Sequence, residues 1–160
     1  MGRAAVRTAV TEWLDTAAIP MLGTVLRSRP KLINPALLEP SLGQASGSVI
    51  VVHLIHDVEI RTAVGGAKSG EKFNKHDITL EILFQSKQPD ALVAQDDFDA
   101  LIDGIMGRLR QDRTLGAPGV IWQCPDAAGY DLLLAQPVLG AQTVLITAHL
   151  TMTALEYVQA

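Results

Sequence analysis

The chain has 160 residues, of which 48% are hydrophobic and 19% charged, and its formal net charge at pH 7 is −4. This length predicts one domain, residues 1–160, because a single hydrophobic core rarely divides below about 250 residues. The composition excludes a chain that is disordered throughout, which needs low hydrophobicity and high charge. The acidic balance disfavours a protein whose whole surface grips nucleic-acid phosphates.

The first predicted element is an amphipathic helix over residues 3–18. Apolar side chains such as Val6, Val10 and Trp13 recur there at spacings of three and four residues, which is typical of one buried helical face. Pro20 marks the end of this helix, because the residue before a proline avoids the α region.

Residues 19–47 are predicted to be irregular. Half of the eight prolines lie in this segment, and each removes a backbone donor, so neither a long helix nor a central strand is expected. The segment also carries many leucines, so it is expected to cover either the protein's own core or a neighbouring subunit.

Two alternating stretches, residues 48–62 and 77–86, predict long strands that pair as a hairpin. Residues 64–76, rich in glycine and lysine, are expected to form its mobile tip. In the first strand, alternation places His56 on the apolar face and His53, Asp57, Glu59 and Arg61 on the opposite face.

A second amphipathic helix is predicted over residues 97–111, capped by Asp96 or Asp97. Strands follow at residues 120–124, 130–136 and 143–158. The order helix, two strands, helix, three strands predicts an α+β fold. We expect a mostly antiparallel mixed sheet of about five strands, with the two amphipathic helices packed on one face.

Residue patterns for catalysis, cofactors and metals are weak. Residues 65–72 resemble a phosphate loop superficially, but Glu71 stands where the lysine belongs. His53 and His56 point to opposite faces of a strand and cannot share one metal ion. Cys124, the single cysteine, is expected to be a buried small hydrophobic residue and leaves no internal disulfide. We therefore predict no enzyme, no cofactor and no metal site.

Several charged and small residues instead predict contacts with subunits or partners. A basic group lies at the hairpin tip, a mixed group on the first strand, an acidic group on the second helix, and two glycines within that helix. These candidate contact residues are Lys68, Lys72 and Lys75; Asp57, Glu59 and Arg61; Asp96, Asp97, Asp99 and Asp103; and Gly104 and Gly107. The acidic group could face the basic group of an adjacent copy.

The whole layout resembles the tail terminator proteins of long-tailed bacteriophages. Residues 78–84 (ITLEILF), the helix at 97–111 and the threonine-rich strand at 143–158 carry the resemblance. It implies a structural virion protein that is assembled in the host cytoplasm. It also implies a homo-oligomeric ring, typically a hexamer, that caps the major tail-tube protein, ends tube growth and meets the head-completion proteins of the neck. Any DNA contact would be passage through the ring.

Two alternatives remain open from the sequence. A head–tail connector or stopper protein of the phage neck would carry basic residues on the wall of its lumen. A small cellular ligand-binding α+β domain would instead show a convergent polar pocket, a compact monomer and an ordered hairpin tip. No run of about 18 apolar residues predicts a membrane helix, and the first residues lack the apolar run of a signal peptide.

Overall fold

The computed structural model describes residues 2–31, 38–40, 43–63, 70–118, 121–123, 131–134, 138–139 and 143–158. Its elements confirm the predicted α+β class with two helices. In chain order they are α1 (Arg3–Asp15), β1 (Leu22–Leu26), β2 (Ser46–Ala63), β3 (Gly70–Ser86), α2 (Ala91–Gln111), β4 (Ile121–Gln123), β5 (Asp131–Leu134), β6 (Val138–Leu139) and β7 (Val144–Val158).

Three long antiparallel strands, β2, β3 and β7, form the centre of one mixed sheet. The short strand β1 pairs in parallel with β2 at one edge, and β4, β5 and β6 pair with successive parts of β7 at the other. The predicted count of about five strands was wrong. Four strands have five residues or more, and three segments of two to four residues complete the sheet.

The hydrophobic core lies between the helices and one face of the sheet, here called the inner face. Phe98 of α2 meets Phe84 of β3 edge to face, with ring centroids 5.4 Å apart. Alternate residues of the long strands and the apolar stripes of both helices belong to the same buried cluster. Its sheet members include Ile50, Val52, Ile78, Leu80, Ile82, Ile146, Ala148 and Leu150.

The proline-rich segment contains one strand that the sequence did not indicate. Leu22–Leu26 fits between Pro20 and Pro30 as the edge strand β1, where neither proline interrupts the ladder. Beyond it, Arg29 reaches Glu81 on the outer face of the sheet at 3.5 Å. A Cβ on Gly47 would lie 2.9 Å from the Leu38 carbonyl oxygen, so glycine permits this close approach. The described parts of the segment thus lie against the protein's own sheet.

The limits of the two helices and of the hairpin differ from the predictions. Helix α1 ends at Asp15, and α2 begins at Ala91 because Asp90, rather than Asp96 or Asp97, accepts a hydrogen bond from the Leu92 backbone N–H as its N-cap. Residues 70–76 belong to β3 and not to a break, because they pair with β2 on one side and largely with β7 on the other. Residues 64–69 lie outside the described part of the chain.

A register shift in β2 between Leu54 and His56 reverses the predicted facing of the residues that follow it. Asp57 pairs with His76 and Glu59 with Asn74, both in inward positions of β3, whereas His56 lies opposite Asp77. The prediction that Asp57 and Glu59 share a face with His53 was wrong. One irregular step suffices, because strand side chains alternate with a period of two.

Candidate functional site

The long strands extend beyond the helices at the end where β2 leads into β3. With 18 residues at about 3.3 Å each, β2 is roughly 60 Å long. Helix α2 has 21 residues at about 1.5 Å each, or roughly 32 Å. Neither helix can therefore cover the whole inner face. We call the projecting end the sheet tip, defined as residues 55–63 of β2, 70–77 of β3 and 153–158 of β7.

A buried polar cluster lies on the inner face at the root of the sheet tip. His76 is 2% exposed and contacts a carboxylate with each ring nitrogen. Its Nδ1 lies 2.5 Å from Asp57 Oδ1, and its Nε2 lies 2.9 Å from Glu156 Oε2. Asn74 donates to the same Glu156 oxygen at 3.4 Å. The three central strands each contribute one ionisable member to this cluster.

The cluster also fastens the start of α1 to the sheet. Arg3 Nε lies 2.7 Å from Asp57 Oδ2, and another Arg3 nitrogen donates to the Leu54 carbonyl at 3.0 Å. Each ring nitrogen of His76 thus faces a carboxylate oxygen, so the imidazole bridges Asp57 and Glu156. Arg3 adds a cation beside Asp57. Compensation of this kind is what allows charge to be buried.

Both carboxyl groups with shifted pKa values favour the folded state at neutral pH. Burial raises the pKa of Glu156, but the hydrogen bonds it accepts, those from His76 and Asn74 among them, outweigh burial and lower it below 4.5. The hydrogen bond from the Thr114 side chain leads those that lower the pKa of Asp112 below 3.8. The unfolded chain therefore binds more protons than the folded chain as the pH falls through this range.

We expect the free energy of unfolding to be maintained above about pH 4.5 and to fall as acidification protonates these carboxylates in the unfolded chain. Urea titrations at neutral pH and at successively lower pH values measure this slope. In the Asp112→Asn variant, the free energy of unfolding should fall less steeply as the pH is lowered. A free energy of unfolding that stays constant or rises on acidification would contradict the assignment.

The outer face of the sheet tip is apolar and carries a lysine. Phe73 and Tyr157 meet edge to face with ring centroids 4.8 Å apart, and Tyr157 remains 49% exposed. Val58 is 40% exposed. Lys75 lies opposite Val58 in the register, and Lys72 lies on the inner face. Neither lysine forms an ion pair within the described part of the chain, and the outer face of the tip presents apolar surface beside Lys75.

An acidic stripe lies on α2 at the opposite end of the sheet. Asp96, Asp99 and Asp103 are spaced by three and four residues, so they share one exposed helical face. Beside the start of this stripe, Leu92 is 67% and Val93 39% exposed. None of the three aspartates has a cationic partner in the ranges that the structure describes.

Asp97 has a different role from its acidic neighbours. Its Oδ2 accepts hydrogen bonds from Ser46 Oγ at 2.5 Å and from the Gln88 side chain at 3.2 Å. Ser46 is the first residue of β2 and is buried against Ser86. Asp97 therefore fixes α2 to the base of the sheet, which places the acidic stripe far from the sheet tip.

The two helical glycines also differ from each other. A Cβ on Gly104 would lie 2.8 Å from Ile19 Cγ2, so this glycine admits the residue that follows α1. A Cβ on Gly107 would meet nothing within 4 Å. A close approach therefore occurs at Gly104, against a side chain of the same chain, and is absent at Gly107.

The remaining candidate contact residues do not lie together as one group. Glu59 is exposed on the inner face of the sheet tip and makes an interaction of its own. Arg61 pairs with Lys72 in the backbone register, and its side chain lies outside the described set. Lys68 and Cys124 lie outside the described residues altogether. The mixed group of Asp57, Glu59 and Arg61 is thus divided, since Asp57 belongs to the buried cluster.

Sequence reasoning missed His76, Glu156 and Arg3. One signal was available: Glu156 continues the inward positions of Met152 and Ala154, and His76 continues those of Ile78 and Leu80. A charged residue in register with a core stripe predicts either a strand end or a paired buried charge. Arg3 gave no comparable signal, because its partner is distant in the sequence.

Among the described residues, no group of three or more histidine, cysteine, aspartate or glutamate side chains is arranged to hold a metal ion. No described helix is long and apolar enough to span a membrane.

Comparisons with known proteins identify no family. No family model and no curated protein matches the chain. One solved structure is similar over 99% of this chain and 94% of its own length, with 13% sequence identity and a TM-score of 0.38. A likeness this weak carries no argument about function.

Proposed function

We propose that the protein is a structural component of a bacteriophage tail, a tail terminator whose copies form a ring on the end of the tail tube. The observation that supports this proposal is the separation of two different surfaces at the two ends of the fold. The sheet tip carries exposed apolar side chains with Lys72 and Lys75, and the far end of the fold carries the acidic stripe beside Leu92 and Val93.

Two different surfaces at opposite ends of one subunit suit a head-to-tail contact. The tip of one copy would meet the acidic stripe of the next, with apolar contacts between Tyr157 and Val58 on one side and Leu92 on the other. Such a heterologous contact closes into a ring when the rotation between copies is a whole fraction of a turn. The six-fold ring expected from the resemblance would use this contact six times.

The ring would have one face toward the major tail-tube protein and one toward the head-completion proteins of the neck. Capping the last ring of tube subunits would prevent further addition and so fix the tube length. The protein's place would be in the virion, after assembly in the host cytoplasm.

The test is electron microscopy of tubes assembled from the cognate tail-tube protein with and without this protein. The proposal predicts ring-shaped caps at tube ends and tubes that cease to lengthen when the protein is added. Tyr157→Ser, which removes exposed apolar surface from the sheet tip, should weaken capping, whereas Leu145→Ser, a matched loss of apolar surface on β7 outside the sheet tip, should leave capping unchanged. Tubes of unchanged length with bare ends would contradict the proposal.

A small ligand-binding α+β domain is a second candidate. The observation that favours it is a cavity between the end of α1 and the second half of α2, lined by polar and small residues. A monomer at high concentration that binds a small molecule there, and neither forms rings nor touches tubes, would favour this candidate.

A further inference from the structure

The cavity between the two helices has a volume of about 430 Å³, which lies within the range of small-molecule sites. Its walls come from the residues that follow α1 and from two turns of α2. The lining residues are Thr16, Ala17, Ala18, Ile19, Gly104, Gly107, Arg108 and Gln111. The cavity adjoins the end of the acidic stripe, because Asp103 precedes Gly104 in the chain and lies one helical turn before Gly107.

Two glycines of α2 shape this cavity. Gly104 lets Ile19 and Pro20 approach the helix, which forms one wall. Gly107 has open space where a Cβ would stand, so its missing side chain leaves the cavity open. A glycine inside a helix is less favourable than alanine, and nothing within 4 Å of Gly107 accounts for its presence by packing.

Arg108 is the only ionisable residue of the lining. Its guanidinium lies over the Trp13 ring, 4.9 Å from the ring centroid. Trp13 is itself held by a hydrogen bond from Nε1 to Asp112 Oδ2 at 3.0 Å. Stacking on a fixed ring restricts the orientation of the guanidinium, so little freedom remains to be lost when it binds a ligand.

The Arg108 side chain lacks an acceptor within the described part of the chain. Its Nε is buried and has no hydrogen-bond partner. The nearby Asp112 carboxylate is occupied by Trp13, Thr114 and the Gly116 backbone N–H. An unsatisfied buried donor is unfavourable.

We propose that this cavity binds the carboxylate group of a small organic acid, with Arg108 as its partner. A planar guanidinium matches a carboxylate with two parallel hydrogen bonds. The site offers one cation, apolar walls from Ala17, Ala18 and Ile19, and the polar groups of Thr16 and Gln111. It also adjoins the C-terminal ends of α1 and α2, whose dipoles disfavour negative charge, so a single charge is tolerated better there than two. A phosphate dianion is therefore a poorer fit than a carboxylate with an apolar body.

Titration with sodium butyrate, followed through the Arg108 Nε–Hε resonance and calorimetry, tests the proposal. We expect saturable binding by the wild-type protein, and at least tenfold weaker binding by Arg108→Gln. Arg110→Gln, a change in an exposed arginine of the same helix, should bind as the wild type does. Phosphate at equal ionic strength should give no saturable shift.

A second variant separates loss of the site from loss of the fold. Gly107→Leu keeps Arg108 and fills the cavity, so it should also bind at least tenfold more weakly while its thermal unfolding remains cooperative. Three results would each overturn the carboxylate site. The first is absence of saturable butyrate binding, and the second is butyrate binding that is unchanged in both Arg108→Gln and Gly107→Leu. The third is phosphate binding as strong as butyrate binding. Ring formation by these variants is a separate readout that belongs to the proposed function.

Discussion

Replacing His76 by alanine is expected to lower the free energy of unfolding by about 3–5 kcal/mol, which corresponds to a fall of roughly 10 °C in Tm for a chain of this length. The imidazole joins Asp57 to Glu156 in the interior. Its removal takes a hydrogen-bonding partner from both carboxylates, and Glu156 is 0% exposed. Breaking one member of a buried charge pair costs more than the pair contributes, because the partner stays desolvated.

The matched control for this prediction is His56→Ala. His56 also contacts a carboxylate, with Nδ1 3.1 Å from Asp77 Oδ2, but its side chain is 63% exposed. An exposed pair of this kind contributes about 0–1 kcal/mol, so His56→Ala should leave Tm nearly unchanged.

Adding Glu156→Gln to His76→Ala separates the effect of an uncompensated buried charge from the effect of lost side-chain volume. If the loss arises from uncompensated charge, the double variant should be less destabilised than the sum of the two single variants. Chemical denaturation of all four proteins measures this coupling. Equal effects of His76→Ala and His56→Ala, or strict additivity in the double variant, would contradict the electrostatic role of His76.

Replacing the two sheet-tip lysines by glutamate is expected to weaken self-association at least tenfold. Lys72→Glu combined with Lys75→Glu would place two negative charges where the proposed ring contact brings the acidic stripe of the next copy. Like charges across an interface cost several kcal/mol, and each 1.4 kcal/mol is a factor of ten in affinity. Sedimentation velocity at rising protein concentration measures the change.

Lys31→Glu combined with Lys87→Glu is the control, because it makes the same change in net charge at two exposed lysines outside both surfaces. Lys87 forms an exposed ion pair with Glu39 at 2.8 Å, whose loss costs little. The control should associate as the wild type does.

A compensating reversal gives the sharper result. The Asp99→Lys/Asp103→Lys variant should restore association when it is mixed with the Lys72→Glu/Lys75→Glu variant. The same restoration is expected when all four substitutions are combined in one chain. Restoration would tie the two surfaces to one contact. Loss of association in the control pair, or no rescue by the compensating pair, would show that the two surfaces do not meet.

The regular parts of the fold follow from local patterns in the sequence. Period-two alternation predicts β7 and most of β2 and β3, and the apolar stripe of α1 predicts its helix. The α+β class follows from the order of these elements. Each of these signals resides within a few neighbouring residues, which is why the sequence alone is sufficient for them.

The missed features depend on contacts that are distant in the sequence. The irregular step between Leu54 and His56 leaves the apparent alternation of Leu54, His56 and Val58 intact, yet it moves Asp57 to the inner face. Strand β1 has five residues between two prolines and exists only because β2 pairs with it. The buried cluster requires β2, β3, β7 and α1 together.

The candidate surfaces were predicted in part. The acidic stripe of α2 is visible in the sequence, but the separation of Asp97 from its neighbours depends on Ser46, which is 51 residues away. The exposed Tyr157 and the Arg108 cavity gave no signal, because exposure and cavities arise only when elements pack. Gly104 and Gly107 were both predicted to be contact residues, and only the packing of the helices distinguishes them.

Copies of this chain are proposed to join head to tail into a closed ring. Native mass spectrometry of the purified protein at rising concentration tests this proposal most directly. We predict one closed species of defined copy number, six by the resemblance, that disappears in the Lys72→Glu/Lys75→Glu variant and persists in the Lys31→Glu/Lys87→Glu control. A protein that remains monomeric at every concentration, and also in the presence of its tail-tube protein, would contradict the claim.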